Sequence, residues 1–287
     1  MSDALNPPQP PKRVFYATGR MLGVEDFQAE QDYHRGRLAR TLLQLCGTGT
    51  VSGLLVQTDG NADVTKLEVT VTPGVAIDRV GRIIEVPRKV CIVLNNWLTQ
   101  YVKSWQNQRS GNAPGTPIVA DPNLAIHDGQ HLMVDVFVTF VPCTRDLTPC
   151  FAAQDDYDAT DAFAPNRLLD SFAMQLVLRT DASPKTPVDP WASLGPQQPT
   201  LAALRQSLLI GTLGPTGTPV EYPPQFDSSA VFLARILVPA TAGTTGNPPT
   251  WNLTGLGSAA IDNTSRLFLI PVSVLSRWNG LGSGTAS

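Results

Sequence analysis

Apolar and polar positions between Val24 and Leu45 follow a helical period. The residues that share one face recur at spacings of three and four, which predicts an α-helix that buries this face. A helix of this length would extend ~33 Å. Gly47 would end the helix, because glycine readily adopts the left-handed conformation that closes many helices. The shared face consists of Phe27, Gln31, His34, Leu38, Leu42 and Leu45.

After Gly47 the pattern changes to the alternation that is typical of β-strands. Pro73 and Gly74 separate the first predicted strand from the second, and a tight turn at Asp78–Gly81 leads into the third. We expect Gly81 to have a positive φ, where a β-branched side chain would be strained. The three strands are expected at residues 67–71, 75–77 and 84–86.

Longer stretches complete the predicted fold. His131–Val141 alternates strictly between apolar and polar residues, and Ser171–Arg179 is its predicted antiparallel partner. Ala230–Val238 is apolar on both faces, which indicates a covered, central strand. Asn95–Trp105 predicts a shorter helix. We therefore expect an α+β, mainly β fold with antiparallel sheets, one long N-terminal helix and long proline- and glycine-rich loops.

The chain divides into four predicted segments. Residues 1–13 form an extended N-terminal arm, and residues 14–180 form a domain of helix and antiparallel β-sheet. Residues 181–229 form a proline-rich linker with a short helix after Thr200, and residues 230–287 add strands to the same core and a flexible tail. Because neither Met1–Arg13 nor Asp181–Thr200 can bury a core of its own, we expect at least one of them to lie on a neighbouring subunit.

Composition excludes several classes of partner. The 287 residues are 42% hydrophobic and 16% charged, and low charge is typical of surfaces between subunits. A net charge of −3 gives no long-range attraction to nucleic acid or anionic lipid. The stretch MSDALNPPQPPKRVF lacks the apolar core of a signal peptide, and no apolar run is long enough to span a membrane. We therefore expect synthesis in the cytoplasm and no membrane insertion.

Two features near the first helix resemble sites but are better explained as structure. A phosphate loop needs its glycines after a strand and before a helix, whereas Gly47–Gly53 follows a helix and precedes a strand. We expect these glycines to permit close packing of the backbone. Glu30 and His34 are four residues apart, but the sequence offers no obvious third metal ligand. A hydrogen-bonded histidine at an interface or in the core is the favoured interpretation.

Three further groups have a functional and a structural interpretation. The stripe Trp97, Tyr101 and Trp105 could bind a sugar, but packing against the sheet is favoured. The acidic group Asp155–Asp161 lacks the spacing of a calcium loop, so a solvated loop is favoured. The four cysteines are too scattered for a disulfide framework, and whether Cys143 and Cys150 form a bridge stays open. No metal site, cofactor site or catalytic motif is predicted.

A pattern of particular residues extends over the first third of the chain. Its N-terminal part is Tyr16, Gly19, Leu22, Asp26, Phe27, Glu30, Gln31, Tyr33, Arg35, Arg37, Gly49, Gly53 and Leu54. Its second part is Pro73, Gly74, Ala76, Ile77, Asp78, Gly81, Arg82 and Ile84. This pattern resembles that of a group of proteins encoded beside phage-tail-like contractile injection systems, among baseplate and tail-fibre components. Gly23 departs from it, since the family usually has Ser or Thr there as the helix cap.

This resemblance implies a structural subunit of the baseplate or its peripheral attachments. Its partners would be baseplate, sheath-proximal or fibre proteins and further copies of itself, and the particle would assemble in the cytoplasm, with release from the cell left open. The alternatives are a fibre module that binds a surface or carbohydrate, and a hydrolase built on Asp135 or the Asp155–Asp161 group. The residues that we assign a structural or interface role are Tyr16, Gly19, Asp26, Phe27, Gln31, His34, Leu38, Gly49, Gly53, Pro73, Gly74, Asp78, Gly81 and Arg82.

Overall fold

The computed structural model contains two long helices and eleven strands within the residues that it describes. The first helix, α1, spans Val24–Leu45, and the second, α2, spans Leu94–Arg109. Both helices were predicted, and α2 extends beyond the predicted Asn95–Trp105 at each end. The described residues are 12–61, 63–111, 119–149, 163–188, 200, 202, 205–206, 219–244, 246–272 and 274–275.

Local sequence signals fix both ends of α1. Gly23 precedes the helix in an extended conformation, and its N–H donates to Oδ2 of Asp26 at 3.1 Å, which is half of a capping box. At the other end Gly47 has a φ of +85°, and its N–H donates to the carbonyl of Leu43 at 3.0 Å. Gly47 thus ends the helix in the left-handed conformation, as the sequence predicts.

The strands of the described residues form three antiparallel sheets. One sheet has the order β1-β4-β5 and a second has the order β2-β3-β6, so the chain crosses between sheets at Pro73. The third and largest has the order β10-β9-β7-β8, with β11 also paired to β9. The strands are β1 Gly49–Gly53, β2 Val56–Thr58, β3 Glu68–Val71, β4 Gly74–Ile77, β5 Ile83–Val86, β6 Val90–Val93, β7 His131–Pro149, β8 Phe163–Leu178, β9 Val231–Thr241, β10 Thr250–Trp251 and β11 Ile261–Asp262.

The large sheet confirms the predicted pairing of strands. β7 pairs with β8 in a continuous antiparallel register from Val134↔Leu178 to Pro149↔Phe163, so both strands are longer than predicted. On its other side β7 pairs with β9, the predicted covered strand. The alternating residues of β7 are buried as predicted, and they are Leu132, Val134, Val136, Val138 and Phe140.

One continuous core lies between the sheets and α2. It combines residues of the two small sheets, such as Val69 and Ile84, with residues of the large sheet, such as Val134 and Ile236, and with Leu98 of α2. Apolar burial of this kind supplies most of the stability of a domain. The predicted α+β, mainly β fold with antiparallel sheets is confirmed.

The C-terminal residues return to the N-terminal sheet. Leu267 accepts a hydrogen bond from the N–H of Thr50 at 2.9 Å, and the N–H of Leu269 donates to the carbonyl of Thr50 at 2.8 Å.

The segment boundaries expected from the sequence stay predictions. Most of the arm Met1–Arg13, most of the helix after Thr200 and residues 189–199 of the stretch Asp181–Thr200 lie outside the described residues.

Candidate functional site

The first helix presents a stripe of exposed side chains over its whole length. Val24 is 69% exposed, Phe27 53%, Leu38 57% and Leu45 81%, and the polar side chains between them are also exposed. We name this stripe the exposed α1 face. It consists of Val24, Phe27, Gln31, His34, Leu38, Thr41 and Leu45.

The opposite side of α1 holds the helix to the fold through small residues. Its buried residues are Gly36 and Ala39. A Cβ atom at Gly81, in the turn between β4 and β5, would lie only 2.1 Å from the carbonyl oxygen of Ala39. The helix backbone and the turn backbone are therefore in direct contact, as only small residues allow.

The predicted burial of Phe27 and Leu38 is wrong for the chain by itself, and Leu42 is half-buried. The helical period locates an apolar stripe correctly but does not say which side faces the sheet. Contact through Gly36 and Ala39 brings the helix closer to the sheet than a stripe of large side chains would. The large side chains consequently face outwards.

Residues 12–23 lie along one flank of α1 without covering the exposed face. The hydroxyl of Tyr16 donates to Glu30, and this hydrogen bond raises the pKa of Tyr16. Arg20 forms an ion pair with Asp26 at 3.2 Å. Gly19 has a φ of +84°, so the segment turns there in a conformation suited to glycine.

A shallow groove continues the exposed α1 face towards the large sheet. Its volume is about 130 Å³, and Leu38 and Leu42 of α1 lie on one side with Ile83 and Phe140 on the other. Ile83 is 39% exposed. The apolar surface around Leu38 is therefore wider than the helix alone.

The turn from Asp78 to Arg82 positions Gly81 against α1. Oδ1 of Asp78 accepts from the N–H groups of Val80 and Arg82 at 2.9 and 2.8 Å, and Oδ2 accepts from Nε of Arg82 at 2.6 Å. Burial raises the pKa of Asp78, although Arg82 opposes this shift. Gly81 has a φ of +90°, as predicted. Asp78 and Arg82 thus have a structural role in this turn.

Partners of the same turn come from the segment 181–229, for which the sequence predicts a proline-rich linker. Nε of Arg79 donates to the hydroxyl of Tyr222 at 3.0 Å, and its Nη2 donates to the carboxylate of Glu221. Nη2 of Arg82 donates to Ser229 at 2.8 Å. Each contact spans more than 140 positions, so no local signal in the sequence could have identified it.

Glycines in β1 and β4 lie in close contact with neighbouring backbone, as expected for Gly49 and Gly53. A Cβ atom at Gly49 would lie 2.6 Å from the carbonyl oxygen of Leu267. One at Gly53 would lie 2.0 Å from the carbonyl oxygen of Pro73, and one at Gly74 would lie 2.3 Å from that of Ser52. Gly53, Pro73 and Gly74 thus allow β1 and the start of β4 to lie close together within one small sheet, and Gly49 allows β1 to lie close to the C-terminal segment at Leu267.

The aromatic stripe of α2 packs inwards, which is the favoured interpretation. Trp105 is 4% exposed, and Trp97 and Tyr101 pack partly buried against the core. Burial raises the pKa of Tyr101 to about 12. Trp251 donates from its indole nitrogen to Asn95 at 3.1 Å. These contacts give α2 a structural role in the core.

Asp135 lies in a buried cluster of charges. Its Oδ1 accepts from Nε of Arg235 at 2.7 Å, and its Oδ2 accepts from Nη2 of Arg235 at 2.9 Å and from Arg179. Arg179 is itself fully buried and also pairs with Asp181 at 2.8 Å. The acidic group Asp155–Asp161 lies outside the described residues.

Glu30 and His34 lie 3.9 Å apart at the edge of the exposed α1 face. The side chain of His34 is 68% exposed, which excludes a core histidine for the chain by itself, while a histidine at an interface stays a prediction. In the parts of the chain that the structure describes, no three acidic, histidine or cysteine side chains converge as a metal site would require.

No helix among the described residues is both long enough and apolar enough to cross a membrane.

Comparisons with known proteins leave the family open. No protein-family model matches the sequence, and no curated protein is similar to it in sequence. Among solved structures, a crystal structure of TssK aligns with 85% of this chain at 10% identity and a TM-score of 0.31. The chain spans about two fifths of that TssK chain, since 41% of its length is covered. A likeness at this level supports no argument about function.

Proposed function

We propose that the chain is a structural subunit of a phage-tail-like contractile injection system, in the baseplate or its peripheral attachments, and that it acts through protein–protein contacts. The exposed α1 face is the observation that carries this proposal. Four large apolar side chains lie in water along one helix that is already anchored on its other side. An apolar stripe of this kind is typical of a surface that a partner covers.

The residues that resemble the injection-system proteins support this proposal because they divide into two groups. One group builds the platform, with Asp26 capping the start of α1 and Gly81 contacting its backbone at Ala39. The other group remains exposed on the platform, and it includes Phe27 and Gln31. A pattern that combines a rigid support with an exposed contact face suits an assembly component.

The expected partners are other proteins of the particle. They are baseplate, sheath-proximal or fibre subunits and further copies of this chain, without nucleic acid. We expect assembly in the cytoplasm, a role without cofactor, and no enzymatic activity. Neither alternative function gains an observation of its own, since the aromatic stripe of α2 faces the core and both oxygens of Asp135 are paired with arginines.

The proposal is tested by isolating particles from cells that express an epitope-tagged chain. Tagged full-length protein should sediment with sheath and baseplate proteins. A variant that lacks Met1–Pro11 should fold normally, because it loses no periodic apolar positions, but its incorporation should fall. A control that replaces the same residues by a glycine–serine sequence of equal length separates the effect of sequence from that of length.

Normal incorporation and normal firing of particles with the shortened chain, together with hydrolytic activity of the free subunit, would contradict the structural role. Absence of the full-length chain from every particle fraction would contradict it as well. Circular dichroism of the purified variants verifies that any loss of incorporation does not come from misfolding.

A further inference from the structure

The seven residues of the exposed α1 face occupy the seam positions of a heptad repeat. Val24, Gln31, Leu38 and Leu45 recur every seven residues, which makes them a positions. Phe27, His34 and Thr41 follow three residues after an a position, which makes them d positions. A 3.5-residue repeat of this kind is the pattern by which two helices wind around each other.

Most of the seam faces away from the residues that hold α1 to the sheet. An α-helix rotates by about 100° per residue, so His34 and Leu38 each point roughly 160° away from Gly36. Gly36 is buried in the contact with the fold, and both seam residues are exposed, with Leu38 also bordering the groove that Ile83 and Phe140 line. A second helix can therefore approach the seam without breaking the buried contact of α1.

From this geometry we propose that the exposed α1 face is a self-association surface, on which α1 of a second copy of this chain lies parallel and in register. The proposal is independent of the injection-system role, since a dimer of the purified chain would exist whether or not the chain enters a particle.

Charge complementarity selects a second copy as the partner. In a parallel pair, a g residue faces the e residue that lies five positions later on the other helix. Glu30 occupies a g position and Arg35 an e position, so each Glu30, which also accepts from Tyr16 of its own chain, faces Arg35 of the second copy. Symmetry forms this pair twice. The next g and e residues, Arg37 and Leu42, bring no like charges together.

The parallel register also matches apolar with apolar layers. Val24, Phe27, Leu38 and Leu45 would each meet the same residue of the second copy, and the polar residues Gln31, His34 and Thr41 would form layers of their own. In an antiparallel pair Val24 would lie opposite Thr41, and Leu45 would have no apolar residue opposite it. Polar layers at seam positions fix register at some cost in affinity.

The test is sedimentation analysis of the full chain between about 1 and about 100 µM, the range in which modest interfaces associate. Wild-type protein should reach the mass of a dimer. Leu38→Glu should weaken association by about 100-fold or more, because two unpaired carboxylates would meet in one seam layer. Ala29→Glu adds the same charge at an exposed position outside the seam and should leave association unchanged.

Charge-reversal variants test whether the partner is another copy. Arg35→Glu should weaken association about fivefold, because it places like charges opposite each other twice. Adding Glu30→Arg to that variant should restore the affinity, since the pair is then reversed rather than lost. Failure of the double variant to recover would contradict the pairing of Glu30 with Arg35.

Disulfide trapping tests the direction of the helices. In a variant whose four cysteines are replaced by serine, Thr41→Cys should form a covalent dimer on oxidation. Asp32→Cys lies outside the seam on an exposed position and should not. A wild-type chain that remains monomeric throughout the concentration range, or a dimer unaffected by Leu38→Glu, would overturn the proposal. Failure of Thr41→Cys to form the covalent dimer, or equal trapping by both cysteine variants, would overturn the parallel arrangement.

Discussion

Gly81 lies in the turn between β4 and β5, in direct contact with the backbone of Ala39. Its φ of +90° is unfavourable for any residue with a Cβ atom, and that atom would lie 2.1 Å from the carbonyl oxygen of Ala39. Two effects therefore act at one position. The conformational strain is local, whereas the steric overlap would push α1 away from the sheet.

Gly81→Ala should lower the free energy of unfolding by at least ~3 kcal/mol, since strain of ~1–3 kcal/mol adds to the steric overlap. Gly60→Ala is the matched control, because Gly60 also has a positive φ of +67° but no atom near the added methyl group. The control should cost only ~1–2 kcal/mol. Urea denaturation followed by circular dichroism measures both. Equal losses would show that Gly81 does not set the distance of α1 from the sheet.

A second residue-scale prediction concerns Asp262, which closes the turn after β11. Burial by itself would raise the pKa of Asp262, but hydrogen bonds from Ser265 and Thr264 to the carboxylate outweigh it and lower the pKa to about 2. Because the folded pKa lies below the unfolded value, the carboxylate stabilises the fold above about pH 4, and this contribution is lost as the pH falls towards 2.

Asp262→Asn should therefore be less stable than the wild type at pH 6, and the difference should shrink as the pH falls from about 4 to about 2. Urea denaturation at pH 6 and at pH 3 measures this trend. A difference that stays constant over this range would contradict the assigned role of the carboxylate.

Sequence reasoning succeeds at this scale where the signal is local. Gly47 and Gly81 were identified because a helix end and a tight turn each require a left-handed residue. Arg79 carries no such signal, since its partners Glu221 and Tyr222 are more than 140 positions away in sequence. Such residues become neighbours only when the chain folds.

At the scale of elements, α1 and α2 contribute differently to stability. Four residues of α2 are buried, including Leu98 at 2% exposure, whereas α1 buries only Gly36 and Ala39. The sequence correctly predicted both helices. It wrongly predicted that the apolar side of α1 faces the core. Periodicity could not decide this point because a stripe that faces a core and a stripe that faces a partner have the same spacing.

Leu98→Ala should lower the free energy of unfolding of the monomer by ~2–5 kcal/mol, as truncations in well-packed sites do. Leu38→Ala, the matched change on α1, should cost less than ~1 kcal/mol, because Leu38 is already 57% exposed. Thermal and urea denaturation at low protein concentration compare the two. A large loss for Leu38→Ala under these conditions would mean that the exposed α1 face packs on this same chain.

At the scale of the whole molecule, the buried charges around Asp135 join parts of the chain that are distant in sequence. Nη1 of Arg179 donates to the carbonyl of Glu221 at 2.9 Å, and Nη1 of Arg235 donates to that of Pro184 at 3.2 Å. The cluster thus ties the central strands of the large sheet to residues 181–188 and 221. From the sequence, Asp135 was a candidate only for the hydrolase alternative, because its arginine partners become visible only with the strand register.

Asp135→Asn should lower the free energy of unfolding by ~3–5 kcal/mol, because it leaves the buried charges of Arg179 and Arg235 without their common partner. Asp146→Asn is the control, since Asp146 pairs with Arg167 at 3.6 Å on the surface, and it should change stability by less than ~1 kcal/mol. Hydrogen exchange should also show lower protection of the N–H groups of β9 in Asp135→Asn than in the control. If both variants unfold at the same denaturant concentration as the wild type, the cluster does not join these segments, and the backbone pairing and apolar packing of β7 and β9 hold the large sheet together without it.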